Sequence, residues 1–133
     1  MVTKTYARIL DGEHVIEEAN GLMSREQILL EASATPYLAG TILAKRTAGA
    51  NAGQWTKFNP AGADGAATAK GVLFARRPAS TGTQRAVAHV RDSDINIHKV
   101  TWGAAATDNQ KATAIAALNA RAADGYGNVR IRG

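Results

Sequence analysis

The apolar positions of this chain fall in short runs punctuated by turn residues, the pattern of strands rather than of long helices. The stretch 36–45, Pro-Tyr-Leu-Ala-Gly-Thr-Ile-Leu-Ala-Lys, is the clearest. Pro36 cannot donate a ladder hydrogen bond and biases Thr35 towards extended geometry, while Gly40 permits a bend before Ile42, Leu43 and Ala44. It predicts a turn feeding a central strand. Residues 71–75 (Gly-Val-Leu-Phe-Ala) and 86–91 (Ala-Val-Ala-His-Val-Arg) have the same character, so three strands predict a small β core.

Ahead of these, Asp11-Gly12 is a two-residue turn signal between residues 7–10 and 13–16, and predicts a hairpin over residues 6–16. An isolated hairpin is marginal in water, so it must dock on this chain's core or on a partner. Residues 17–21 (Glu-Glu-Ala-Asn-Gly) read as a turn. Residues 24–27 have capping-box spacing, but Ser33, Thr35 and Pro36 close behind Ile28-Leu29-Leu30 leave little room for a helix, and the segment predicts a strand. The alternating run 54–58 is ended by Asn59-Pro60, and residues 61–70 form a small-residue loop.

A helix follows Thr107, whose N-cap role is signalled by Gln110 three positions on. Ala112, Ile115, Leu118 and Ala122 recur on one narrow stripe, and Asp124-Gly125 supplies a stop. Residues 128–132 alternate, with Val129 and Ile131 inward and the arginines outward, as in a half-buried edge strand. The elements predict a mixed α/β (α+β) fold: a small β-rich core, one main C-terminal amphipathic helix and an extended N-terminal arm.

At 133 residues the chain has the length of one domain. Hydrophobic residues make up 45% but aromatics only 5%, and much of the apolar total is alanine, so the core is thin and subunit association is a plausible second source of stability. No cysteine is present for a disulfide or thiolate site. No apolar run is long enough to span a membrane, and the first eight residues lack the apolar stretch of a signal peptide, so a soluble protein is expected. The net charge of +5 and the pI near 9.9 suit a polyanion, yet the basic residues are scattered in ones and twos without interleaved aromatics. A small basic nucleic-acid-binding module is therefore the alternative reading.

Little in the sequence suggests catalysis. His14 beside Glu17 and Glu18 has no second histidine at zinc spacing and reads as a solvated strand-end residue. His89, Asp92, Ser93 and Asp94 supply the residue types of a hydrolase triad, but consecutive positions of one strand face opposite ways and do not converge. No phosphate loop or dinucleotide fingerprint occurs, and no cofactor or metal is expected.

Read in order, several words resemble the bacteriophage head decoration protein family, the capsid-stabilising group that includes the lambda decoration protein. They are Glu18-Ala19-Asn20-Gly21 with Ser24-Arg25-Glu26, then Leu38-Ala39-Gly40-Thr41-Ile42-Leu43-Ala44-Lys45. Phe58-Asn59-Pro60 with Ala63-Asp64-Gly65 follows, then Thr68-Ala69-Lys70-Gly71-Val72-Leu73 and Ala86-Val87-Ala88-His89-Val90-Arg91. Trp102 then leads into Asn109-Gln110-Lys111 and the alanine-rich helix with Leu118. The resemblance runs from about Glu18 to Leu118; the hairpin ahead of it and the longer, more basic ending at residues 121–133 depart from the family pattern.

The resemblance implies a non-enzymatic, cofactor-free homotrimer made in the host cytoplasm. It would sit on the outer surface of the virion capsid at three-fold and quasi-three-fold positions. Its partner would be the major capsid protein, which it cements after head expansion against packaged DNA; neither membrane nor direct nucleic-acid contact is implied. Residues 1–20 would be the capsid-binding arm, with Tyr6, Arg8, Ile9, Leu10, Val15 and Ile16 on the capsid, and residues 21–133 the decoration domain. Ser24, Arg25, Glu26, Gly40, Thr41, Asp64, Gly65, Gly71, Trp102 and Leu118 would be the family's structural positions.

Overall fold

A computed structural model of the chain describes residues 11–19, 21–102 and 106–133. The first half of the expected hairpin, with Tyr6, Arg8, Ile9 and Leu10, lies outside the described residues. Among the described residues eight strands are arranged as a closed five-stranded barrel and a three-stranded sheet. The strands are β1 (Val15–Glu18), β2 (Arg25–Leu30), β3 (Ile42–Lys45), β4 (Trp55–Lys57), β5 (Ala69–Leu73), β6 (Gln84–His89), β7 (Arg91–Asn96) and β8 (Gly127–Arg132). A single helical turn, α1 (Gly21–Ser24), precedes β2, and α2 (Asp108–Asn119) is the one longer helix among the described residues.

The barrel order is β2-β4-β3-β5-β6, with β6 closing on β2, and only the short β2–β4 contact is parallel. The three strands read as a β core are consecutive neighbours in it, β3 pairing with β5 and β5 with β6. Alternation along them builds two cores. Leu43 and Leu73 join Ile28, Leu30, Trp55, Ala86 and Ala88 in one cluster. Their sequence neighbours Ile42 and Val72 point the other way, to Phe58, Ile95, Leu118 and Val129, and fill the space between barrel, helix and sheet.

Gly40 makes the bend before β3 with φ +79°, and a Cβ there would lie 2.4 Å from the carbonyl oxygen of Lys99. Only glycine fits that turn.

The sheet order is β1-β7-β8. β7 departs from the sequence reading, which ran a single strand through Arg91. The chain leaves the barrel at Val90, whose N–H donates to Ser24 and whose carbonyl accepts from Gly127. Its apolar pattern is hidden because Asp94 is buried, gripped by Arg130 Nε at 2.7 Å and Arg132 Nη1 at 2.9 Å from β8. The arginines do face outward from β8, as its alternation predicts, and they cover a carboxylate.

Residues 17 and 18 belong to β1 rather than to a turn. The helix α2 has the expected Thr107–Gln110 capping box, but it stops at Asn119, with Ala120 already extended at φ −70°, ψ 130°. Asp124-Gly125 therefore shapes the following turn and not the helix end. The buried face is also rotated: Ala114 and Leu118 are buried and Ala112 is exposed. An alanine-rich segment offers several equivalent stripes, and packing against Val129 and Ile95 selects this one.

Candidate functional site: the β1 edge and the Glu18 cluster

β1 forms one edge of the three-stranded sheet. It pairs antiparallel with β7, Val15 opposite Ile95 and Glu17 opposite Asp94, which leaves Ile16 as the extra residue of a β-bulge. Ile16 is 55% exposed, whereas Val15 packs against the second core. Residues 11–19 as a whole pack with the domain: Asp11 accepts from the Arg76 N–H, Gly12 N–H donates to Phe74, and Ala19 N–H donates to Asp92. Bulged edge strands are where sheets regulate pairing with other chains.

Below β1 lies an ionic cluster that ties it to the barrel. Glu18 accepts from Ser24 Oγ at 2.9 Å and from Arg25 through Nη2 at 2.6 Å and Nε at 3.1 Å, while His89 Nε2 lies 2.5 Å from its Oε2. Burial pushes the Glu18 carboxyl up, but the hydrogen bonds from Arg25, Ser24 and His89 outweigh it and hold the group down at about 2. Glu18 is thus a carboxylate, which fixes His89 with its proton on Nε2. Strands β1, β2 and β6 meet at this one residue.

His14 corrects the sequence reading most sharply. It is fully buried rather than solvated, edge-on to His89 with ring centroids 6.1 Å apart and to Phe74 at 6.5 Å. Among the described residues neither of its ring nitrogens has a hydrogen-bond partner, and neither has His89 Nδ1. Burial, reinforced by His89, pushes the His14 pKa down to about 4, against the opposing pull of Asp11 and Glu13. His89 is also lowered, by burial first, with Glu18 opposing.

The remaining residues that the resemblance singles out are spread through the fold rather than gathered at one site. Ser24 and Thr41 are buried, and Thr41 Oγ1 donates to the Leu38 carbonyl at 2.6 Å. Asp64 and Gly65 take successive positive φ values of 56° and 95° in a turn that brings Gly65 against the Lys45 carbonyl. Gly71 lets β5 pass close to His89 and Val90, Trp102 meets Phe58 edge-on at 5.9 Å, and Leu118 is 1% exposed. Glu26 accepts from the Tyr126 hydroxyl.

The triad residue types do not assemble. They lie on two strands, not one: His89 ends β6 and bonds Glu18, while Asp92, Ser93 and Asp94 sit on β7. Asp92 is engaged by Arg121 and Asn128, Ser93 Oγ donates to the Arg91 carbonyl, and Asp94 is held by its arginines. Among the described residues no group of His, Asp and Glu is arranged to hold a metal.

No spacing in the sequence joins Glu18, Ser24 and Arg25 to His89, which lies 71 positions from Glu18. The sequence matches the family described as bacteriophage lambda head decoration protein D over residues 4–123. No curated protein and no solved structure gives a match. With the match covering nearly all of its length, the chain belongs to the bacteriophage lambda head decoration protein D family, and is a structural decoration protein of the phage capsid.

Proposed function

We propose that the protein binds the outer surface of the expanded head as a homotrimer at three-fold and quasi-three-fold positions, cementing neighbouring major capsid protein subunits. The family match carries this reading. The β1 edge supports it in detail: β1 is a bulged edge strand with Ile16 exposed, a place where a capsid sheet could add a strand. The thin, alanine-containing core supports self-association.

Ion pairing disfavours nucleic acid as the partner. Arg25, Arg46, Arg91, Arg121, Arg130 and Arg132 all pair with carboxylates of the same chain, so these guanidinium groups are engaged within the domain rather than set out as a phosphate-binding stripe. The deciding experiment mixes the purified protein with expanded heads and, separately, with duplex DNA over a salt series. Saturable head binding by a species of trimeric mass supports the proposal. Binding to DNA that collapses with salt, without head binding, overturns it.

A further inference from the structure

We propose that His14 and His89 form an acid-operated latch that holds residues 11–18 against the barrel at neutral pH and lets them swing away, with the barrel intact, when the pair takes up a proton. The geometry carries this. Two fully buried imidazoles stand 6.1 Å apart, and between them three ring nitrogens have no hydrogen-bond partner among the described residues. Neutral His14 already carries one proton, so a second makes it a buried cation with no acceptor among the described residues, and a second proton on His89, whose Nε2–H is held by Glu18, leaves its Nδ1–H without one; folded proteins strongly disfavour such groups. The escape is local, because His14 sits one residue ahead of β1 on a sheet edge, whereas His89 is fixed inside the barrel on β6. Moving residues 11–18 out breaks contacts of the segment and none within the barrel: the Asn96 N–H to the His14 carbonyl, the Gly12 N–H to Phe74, the Arg76 N–H to Asp11, the Lys99–Glu13 pair, the short ladder to β7, and the Glu18 contacts with Ser24, Arg25 and His89.

The surrounding charges do not rescue the protonated form. On the His14 segment, Asp11 and Glu13 favour a cation, but Asp11 is engaged by the Arg76 N–H and Glu13 by Lys99 Nζ at 2.8 Å. From β5 onward the ring meets Phe74, which offers no acceptor, and that face is itself covered by the Arg25 guanidinium at 4.3 Å. His89 faces Glu18 from β1 and Arg25 from β2; the former favours a proton and the latter disfavours it, and Glu18 is shared with Ser24 Oγ and with Arg25 Nε and Nη2. The two histidines also repel one another when both are charged, so the pair resists a second proton more than a first.

Linkage gives the direction. A histidine lowered from 6.5 to about 4 on closing favours the closed form fully above pH 6.5. That preference is lost progressively down to about pH 4, where it is exhausted. Across that window the opening equilibrium of residues 11–18 rises about a hundredfold.

The test is amide hydrogen exchange on the full-length protein from pH 7 to pH 4, corrected for intrinsic rates. The Asn96 amide, which donates to His14, and the Ala19 amide, which donates to Asp92, report the latch; the Leu73 amide, which donates to Thr41, reports the barrel. The expected result is a rise of about a hundredfold in opening at Asn96 and Ala19, with Leu73 unchanged, and its loss in His14→Phe. A rise shared equally by Leu73, or one that persists in His14→Phe, overturns the latch. Should His14→Phe not fold, the imidazole titration of the unmodified protein decides. A His14 midpoint well below 6.5 that coincides with opening supports the latch, and an ordinary midpoint without opening refutes it.

Discussion

The Tyr126 hydroxyl donates a 2.7 Å hydrogen bond to Glu26 Oε2, joining residues 100 positions apart. The same ring lies edge-on to Trp55 at 5.8 Å and is nearly buried, so the C-terminal segment supplies part of the barrel core. Burial, and then Glu26, raise the Tyr126 pKa, so the hydroxyl keeps its proton at any ordinary pH. Tyr126→Phe removes that hydrogen bond, to a carboxylate whose side chain is 36% exposed, and the longer 3.5 Å one the hydroxyl accepts from Lys45 Nζ, and should cost about 1 kcal/mol in urea unfolding. Tyr126→Ala also removes the ring and should cost about 3–5 kcal/mol. Equal costs would mean that the ring is not packed as described.

Two glycines with similar backbones separate conformational strain from steric conflict. Gly40 and Gly53 have φ of +79° and +86°, but a Cβ at Gly53 meets nothing within 4 Å while one at Gly40 lies 2.4 Å from a backbone carbonyl. Gly53→Ala should therefore cost about 1 kcal/mol, and Gly40→Ala clearly more, about 3 kcal/mol or above, by equilibrium denaturation. A reversed order would contradict the close approach of the Gly40 turn to Lys99.

Helix α2 tests the corrected face. Leu118→Ala should lose about 2–5 kcal/mol, whether the stripe is drawn from the sequence or from the packing. Ala112 and Ala114 distinguish the two. Ala112→Gln, on the exposed side, should change stability by less than about 0.5 kcal/mol, and Ala114→Gln, facing the core, should cost at least about 1–3 kcal/mol. A larger loss at Ala112 would restore the stripe expected from sequence.

What was legible in the sequence is what local chemistry fixes. Pro36 and Gly40 announced β3, Thr107 and Gln110 the helix start, and Val129 with Ile131 the edge strand. Barrel closure was not legible, because it depends on β2 meeting both β4 and β6, a register written in no single segment. β7 was missed because its strand character comes from Arg130 and Arg132 neutralising Asp94, partners supplied 36 and 38 positions later. His14 was misjudged for a related reason: beside charged neighbours it looks solvated, and only the arrival of Phe74 and His89 buries it.

The attachment reading makes a prediction that depends on where the chain is cut. Sequence alone places the arm at residues 1–20, so that removing residues 1–16 should spare the fold. His14 is buried and Val15 packs on the second core, however, so that deletion removes side chains the domain needs. Removing residues 1–16 should cost several kcal/mol of stability, whereas removing residues 1–10 should leave the melting transition and the self-association nearly unchanged. The shorter deletion is the informative one for attachment. Fixing each residue of an arm costs about 1–2 kcal/mol of conformational entropy, so a single arm binds weakly and affinity rests on several copies of one assembly binding together. Loss of residues 1–10 from every subunit should then weaken binding to expanded heads by more than the contacts of one arm account for, read as the concentration needed for half-decoration. If the protein lacking residues 1–10 decorates heads at the same concentration as the intact protein, attachment belongs to the folded surface around Ile16 instead, and Ile16→Asp in the full-length chain should then abolish it.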